Sequence, residues 1–426
     1  MPGHGEKNPK RDLLTRYQGL VRHASVCLLG LLLVACNSQA TQGSSVRFFA
    51  LDTPCSVTLQ GHVPDSVFSD IEQEVLRIEA LMSSYQEESE VSILNRVGQN
   101  TLSPETVALL RQALGYARRS DGLFDPTVGP LSRIWDITGS RAIKRREDEL
   151  KAEGKLAPQG SLSNDLSGNG QQYQIDGAIA EQIRMQRQPP SKQNIAEALT
   201  LVSYRDVQLD SATGEVRFGK PGMKLDLGGI AKGFAADRIA AILKAVDAPA
   251  GVIDLGGNIL LHGSKPNGDP WSVGVRAEGD NYLLGMFIAR PKAVVTSGVY
   301  QRYYMHNGKR YHHILSTETG YPIDNGIFSV TVVTDDSTVA DALSTLLFTY
   351  GAERGLEEVA RRQTQGEEIE ALFVTTNYHV YASRQFARLS TEQYNSLKDG
   401  STKSKELPQE QIWLFPLQDN LHFVNL

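Results

Sequence analysis

The sequence predicts an α+β protein, a mixed-sheet core with helices, on three observations. Residues 46–60, VRFFALDTPCSVTLQ, are rich in β-branched and aromatic residues. Apolar residues recur at helical spacing over 65–85 (Val67, Ile71, Val75, Ile78, Leu81) and again after Asp335 (Val339, Leu343, Leu346, Leu347). Between these stretches, NILLHGSKPNGDPWSVGV alternates like a strand, turns at Pro266-Asn267-Gly268 and returns as a strand. With 426 residues, 40% hydrophobic and 22% charged, the chain can bury a sizeable core and form two or three domains. A net charge of −6 argues against a phosphate-neutralising surface, so nucleic acid is set aside as a partner.

Along the chain, Lys7, Lys10, Arg11, Arg16 and Arg22 precede the apolar run ASVCLLGLLLVAC. That run is too short to span a bilayer comfortably and reads as a signal peptide over residues 1–35. It ends in Leu33-Val34-Ala35-Cys36, which resembles the lipobox of bacterial lipoproteins, with Cys36 as the lipidated residue and 36–47 as a small polar tether. Lipid at Cys36 would anchor the chain in the cell envelope, facing the periplasm, without spanning the membrane. Asn37 weakly favours the outer over the inner membrane, and the choice stays open. Of three cysteines, Cys27 leaves with the signal and Cys36 carries lipid, so Cys55 has no intramolecular partner and is expected as a buried strand residue.

A second helix is expected from Pro104 to about Arg119 with Ser103 as its N-cap. Residues 139–190 carry the charge run KRREDELKAEGK and the polar stretch GSLSNDLSGNGQQ, which predict a solvated insertion. Globular patterning resumes with the helix SKQNIAEALTLV and runs to about residue 385. The C-terminal extension, 386–426, ends in the strand-like LHFVNL.

The letters Asp-Leu-Gly-Gly occur twice, at 226–229 and 254–257. The first copy is read as following an apolar strand and leading into a helix with Ile230, Phe234, Ile239, Ile242 and Leu243 at roughly helical spacing. Glycines at such a turn let the backbone approach a ligand, a helix N-terminus attracts phosphate, and Lys232 adds positive charge. The second copy leads into a strand, where no helix N-terminus is expected. A tight turn with a packing glycine would explain either copy. In the helix after Asp335, the first turn is expected to hold Asp341, with Thr345 four residues on and Ser344 beside them; such oxygen donors suit a hard cation such as Mg²⁺. An aspartate on the helix dipole beside two small packing residues would look the same. His312 and His313 lie beside Ser/Thr-rich turns and could supply a general base; they could equally lie on a strand, where period-2 alternation makes them face opposite sides, so that at most one would serve a given site.

Taken in order, LDTPCSVTL, LMSSYQEESEVSILNR, SDGLFDPTVGPLSRIWD, DLGGIAKG, TSGVYQRYY, HHILSTETGYP and ADALSTLLFTYG resemble the ApbE family of FAD:protein FMN transferases, over residues 48–385 apart from the insertion. The resemblance implies two interleaved α/β subdomains. It also implies a Mg²⁺-dependent enzyme that binds FAD, transfers FMN to a threonine or serine hydroxyl of a target redox protein, and releases AMP. By the same resemblance Gly229, Asp341, Ser344 and Thr345 match metal positions. Leu51, Tyr85, Leu123, Phe124, Asp125, Asp226, Lys232 and Leu315 match FAD contacts, and His313 matches the base toward the acceptor hydroxyl. Ser316-Thr317 stand where the family usually has Asp-Pro, which bears on the local turn. The same site with water as acceptor would be an FAD pyrophosphatase giving FMN and AMP; without turnover it would be a flavin-binding lipoprotein.

Overall fold

A computed structural model of the chain describes residues 43–139, 186–276, 282–399, 401–408, 410–417 and 421–424. The expected signal segment, Cys36 and most of the 139–190 insertion lie outside the described residues.

Among the described residues the main sheet has nine strands, which lie side by side in the order in which the chain makes them. They are β1 (Ser44–Ala50), β2 (Thr53–Leu59), β3 (Gly251–Leu255), β4 (Asn258–His262), β5 (Ala293–Gly298), β6 (Ile327–Thr334), β7 (Ile369–Thr375), β8 (His379–Ala382) and β9 (His422–Phe423). Neighbours pair antiparallel except β8 and β9. The other described elements are inserted between sheet neighbours, and these insertions carry much of the cavity wall. Helices α1 (Asp65–Met82) and α2 (Ala231–Ala245) lie between β2 and β3; α3 (Ser337–Tyr350) and α4 (Ala352–Thr364) lie between β6 and β7.

Helix α1 forms because Val67, Phe68, Ile71, Val75, Ile78 and Met82 share one buried face, each contributing about 1.5–3 kcal/mol of apolar burial before entropy is charged against it. Leu81 is only half-buried, since the helix ends at Met82 and Ser83 turns extended. The Pro104–Arg119 helix starts where its cap predicts, with Ser103 accepting the Thr106 N–H and proline in the first turn. Helix Lys192–Leu199 is capped in the same way by Ser191.

The helical run after Asp335 is two helices, not one. Gly351, at φ 77°, ends α3 and lets the chain restart as α4. Cys55 sits on β2 at 2% exposure, and burial pushes its thiol up to about 11, which makes it inert as a nucleophile. The C-terminal extension is built into the fold: strand Ile412–Pro416 pairs with Tyr282–Ile288, burying Leu389, Leu407 and Phe415, and β9 closes one edge of the main sheet.

Candidate active site

Helices α2 and α3 touch backbone to backbone. A Cβ on Gly233 would lie 2.2 Å from the Ser337 carbonyl oxygen and 2.7 Å from Thr338 Cα, so only glycine permits the approach. One turn along α2, the Asp237 carboxylate accepts the N–H groups of Ser337 (2.9 Å) and Thr338 (2.8 Å), and the Thr338 hydroxyl as well. Asp336 caps the Val339 N–H. The opening turn of α3 is therefore held by Asp336 and Asp237.

Asp341 lies in the second turn rather than the first, which corrects the sequence expectation. The dipole reading falls away with it. At 3% exposure its carboxylate faces α2, accepting the Gly233 N–H at 2.9 Å and standing 3.4 Å from Lys232 Nζ. Thr345 follows one turn on, and a Cβ on Gly229 would lie 3.7 Å from its hydroxyl, so Gly229, Asp341 and Thr345 form the walls of one recess. Ser344 does not join them. It is fully buried, donates to the Asp341 carbonyl at 3.0 Å and bonds Ser297 Oγ at 2.9 Å, so it braces the helix from behind.

The first Asp-Leu-Gly-Gly turn is not preceded by a ladder strand, a second correction. Asn95 takes the place of a neighbouring strand: its amide accepts the Leu225 N–H (2.6 Å) and donates to the Leu225 carbonyl (2.8 Å), while Asp226 N–H bonds Pro126 O. The segment is extended because its polar groups are met singly, with one bridge between Val128 and Lys224. Gly228 and Gly229 are not at positive φ. Their lack of a Cβ provides room, since a Cβ on Gly229 would press on Phe124 at 3.3 Å. Asp226 accepts the Gly228 N–H and fixes the turn.

These groups line a cavity of about 430 Å³ together with Leu51, Tyr85, Leu123, Phe124, Asp125, His313 and Leu315. Both oxygens of Asp125 are occupied, one by Thr127 and the other by the Tyr204 N–H, so it shapes the loop that presents Leu123 and Phe124. Thr317 donates to Gly122 O, and Ser316 accepts the N–H groups of Glu318 and Thr319. This is how the turn is made without Asp-Pro. Leu51 and Asp52 both have positive φ (54° and 57°) at the tip of the β1–β2 hairpin, a strained conformation for leucine that turns it to the cavity.

The histidine pair divides at a strand end: His312 is the last residue of strand Lys309–His312 and His313 lies just beyond it. His312 is buried with Nε2 on Ile323 O and its ring edge against Phe348. His313 faces the cavity, and its Nδ1 lies 3.2 Å from Arg302 O, a contact that sets Nδ1 as the donor and leaves Nε2 with its lone pair. Burial, then the Arg302 charge, push His313 down to about 3. The imidazole is neutral at any working pH, but a much weaker base than the ordinary value near 6.5 suggested. Arg302 also donates to Asp52 O at 3.0 Å, linking the histidine to the hairpin tip.

Among the described residues no three His, Cys, Asp or Glu side chains converge as a metal cluster. A cation here would instead draw on Asp341, Thr345 and backbone or ligand oxygen. That donor set, with a buried carboxylate facing the recess, fits a hard ion.

The ApbE family model matches residues 51–373. The chain belongs to the ApbE family. A protein of Klebsiella pneumoniae (strain 342) named FAD:protein FMN transferase is 30% identical over 338 residues, covering 78% of this chain and 89% of that one. One of the same name from Treponema pallidum (strain Nichols) is 31% identical over 340 residues, covering 75% and 78%. Among solved structures, the ApbE protein of Thermotoga maritima has a TM-score of 0.63 at 31% identity, over 80% of this chain and 97% of that one. The flavin transferase ApbE of Vibrio cholerae shares the fold, with a TM-score of 0.60 at 22% identity and the same coverage.

Within this ApbE fold, three residues that bear on the site carried no sequence signal strong enough to single them out. Arg302 sets the tautomer of His313, Asp237 joins the two helices, and Asn258 lines the cavity beside the second Asp-Leu-Gly-Gly copy. Only Asn258, placed directly after a Gly-Gly turn, had a local pattern that could have suggested it.

Proposed function

We propose that this ApbE-family protein transfers FMN from FAD to a threonine or serine hydroxyl of an extracytoplasmic redox protein and releases AMP. The observation that carries the reading is that His313, Lys232 and the recess of Gly229, Asp341 and Thr345 line a single cavity. The names of its relatives support the reaction class.

Gly229 through its carbonyl, Asp341 and Thr345 would hold Mg²⁺, which when bound neutralises charge on the phosphate oxygens and on the departing AMP. Lys232 offers a further positive charge beside Asp341. Tyr85, Leu123, Phe124, Leu51 and Leu315 supply apolar surface for the flavin and adenosine, and exclude water around them. His313 Nε2 takes the proton of the acceptor hydroxyl as its oxygen bonds the FMN-side phosphorus and the bond from that phosphorus to the AMP oxygen breaks. The low basicity of His313 in the free protein comes from burial and cationic neighbours; the negative diphosphate opposes both Arg302 and Lys232 and moves the imidazole back toward a useful range. A lipid at Cys36 would hold this chemistry at the periplasmic face of the envelope.

The test is to incubate the protein with FAD, Mg²⁺ and a candidate acceptor domain and to weigh the acceptor. A gain of one FMN with stoichiometric AMP supports transfer. Free FMN and AMP with an unchanged acceptor would assign an FAD pyrophosphatase, and unchanged FAD a non-catalytic flavin-binding lipoprotein.

A further inference from the structure

The two Asp-Leu-Gly-Gly stretches use their glycines for different reasons. In the second, Gly256 and Gly257 both have positive φ (65° and 92°) and make the two-residue turn between β3 and β4, with Asp254 accepting the Gly257 N–H. A Cβ on Gly256 would lie 1.9 Å from Thr53 Oγ1, so the hairpin tip is pressed onto the base of β2. This seat puts the next residue, Asn258, in the cavity wall at 1% exposure.

The amide of Asn258 is held at one atom and free at the other. Its Oδ1 accepts the Ser337 hydroxyl at 2.7 Å, which fixes the rotation of the group. Its Nδ2 is buried and has no hydrogen-bond partner among the described residues. A buried donor left without an acceptor is costly and rare in native proteins. Ser337 is the first residue of α3, one turn before Asp341, so the amide stands beside the recess where a cation and phosphate would meet. Lys232 on the cavity wall also favours an anion by its positive charge.

We propose that Asn258 Nδ2 donates a hydrogen bond to a phosphate oxygen of the bound dinucleotide, so that the second Asp-Leu-Gly-Gly hairpin is a phosphate-binding subsite and not only a packing turn. The proposal rests on the FAD-dependent reading above. It assigns the two copies to one ligand by different means, the first through the charge of Lys232, the second through a side-chain amide.

Asn258→Asp keeps an oxygen for Ser337 and nearly the same shape, but turns an acceptor with negative charge toward the phosphate. Flavin-fluorescence titrations of the whole chain would compare FAD with riboflavin, which has no phosphate. FAD affinity is expected to fall roughly ten- to a hundredfold, with riboflavin affinity changed by less than about twofold. Asn258→Ala introduces no charge and covers the case in which the aspartate variant fails to fold, with the same FAD-selective loss expected. A residue that only tied the hairpin to α3 would lower the melting temperature and affect both flavins alike. Wild-type protein that binds FAD tightly, with folded variants matching it, overturns the subsite alone. Wild-type protein that binds no FAD overturns the transfer reading and the subsite with it.

Discussion

The Gly233 N–H and the Asp341 carboxylate meet at 2.9 Å because Gly233 has no side chain to hold α3 away. Asp341 is thereby aimed into the cavity by a backbone group of the helix that also carries Lys232. Gly233→Ala would force Ser337 and Thr338 away from α2, since the atoms in conflict are backbone and cannot rotate aside. We expect a stability loss of about 3 kcal/mol or more, read from denaturant midpoints, and loss of flavin transfer in whatever protein folds.

Gly229→Ala should behave differently, although it lies only four residues away. Its Cβ would meet Phe124 Cε2 at 3.3 Å and Thr345 Oγ1 at 3.7 Å, both side-chain atoms that can give by tenths of an ångström. Stability should change by less than about 1 kcal/mol. Turnover with FAD should persist, with an altered KM because Phe124 lines the cavity. Complete inactivation would mean that the recess depends on an absent Cβ for more than room.

Asp341→Ala removes the one buried carboxylate among the recess residues. Transfer to the acceptor should become undetectable by mass, and cation titration by calorimetry in the presence of ADP should lose its Mg²⁺ dependence. Full activity in this variant would refute the metal assignment. Ser344→Ala should retain activity, because its hydroxyl faces Ser297 and the Asp341 carbonyl and not the cavity.

Local pattern made the helices legible in the sequence: Ser103 announced its cap, SKQNIAEALTLV its helix, and the 65–85 stripe its buried face. What stayed hidden was contact between elements far apart in the chain. Gly233, which brings α2 onto α3, has no side chain to register in an apolar pattern, and the buried Ala231, Ala235 and Ala236 are too small to form a stripe, while Phe234 and Ile242, which do register, are only half-buried. Asp341 falls in the second turn because α3 starts at Ser337, where the local cap Asp336 is joined by Asp237, about a hundred residues earlier; only the second grip is invisible in the sequence. The extended segment before Asp226 imitates a strand because Asn95 meets its backbone, a pairing no pattern reveals. Resemblance to a family supplied the residue types of the site; Arg302 and Asn258 needed the fold.

Asp237 gives a pH dependence with a definite sign. Burial raises its pKa from an ordinary 3.8 to about 6, against the opposing hydrogen bonds from Thr338 and Ser337. Because the folded form binds its proton more tightly than the unfolded chain does, this group's contribution is most favourable below about pH 4 and is lost as pH rises through about 6. Asp237→Asn keeps an acceptor for the α3 N–H groups and cannot ionise. Urea midpoints of wild type and variant at pH 4.5 and 7 should show the wild type losing stability relative to the variant over that interval. Parallel slopes would mean that Asp237 is better solvated than its place between α2 and α3 implies.

His313 makes the opposite kind of prediction, an absence of titration where a catalytic histidine usually shows one. In the free protein its pKa of about 3 leaves essentially all of it neutral above pH 5. The pH profile of kcat/KM reports the free enzyme, so its acidic limb between pH 5 and 7 should not be set by this residue; an ordinary histidine of pKa 6.5 would cost roughly tenfold by pH 5.5. The cause can be tested separately. Arg302→Met deletes the charge that is the second-largest depressing influence but keeps the carbonyl that faces Nδ1, so the His313 limb should move up in that variant, only part of the way because burial still dominates. The same change removes the contact with Asp52, so KM for FAD should rise alongside. A wild-type limb near pH 6.5 that disappears in His313→Gln would show that the ring is far more exposed to water in the working enzyme than its seat between Arg302 and the cavity wall allows.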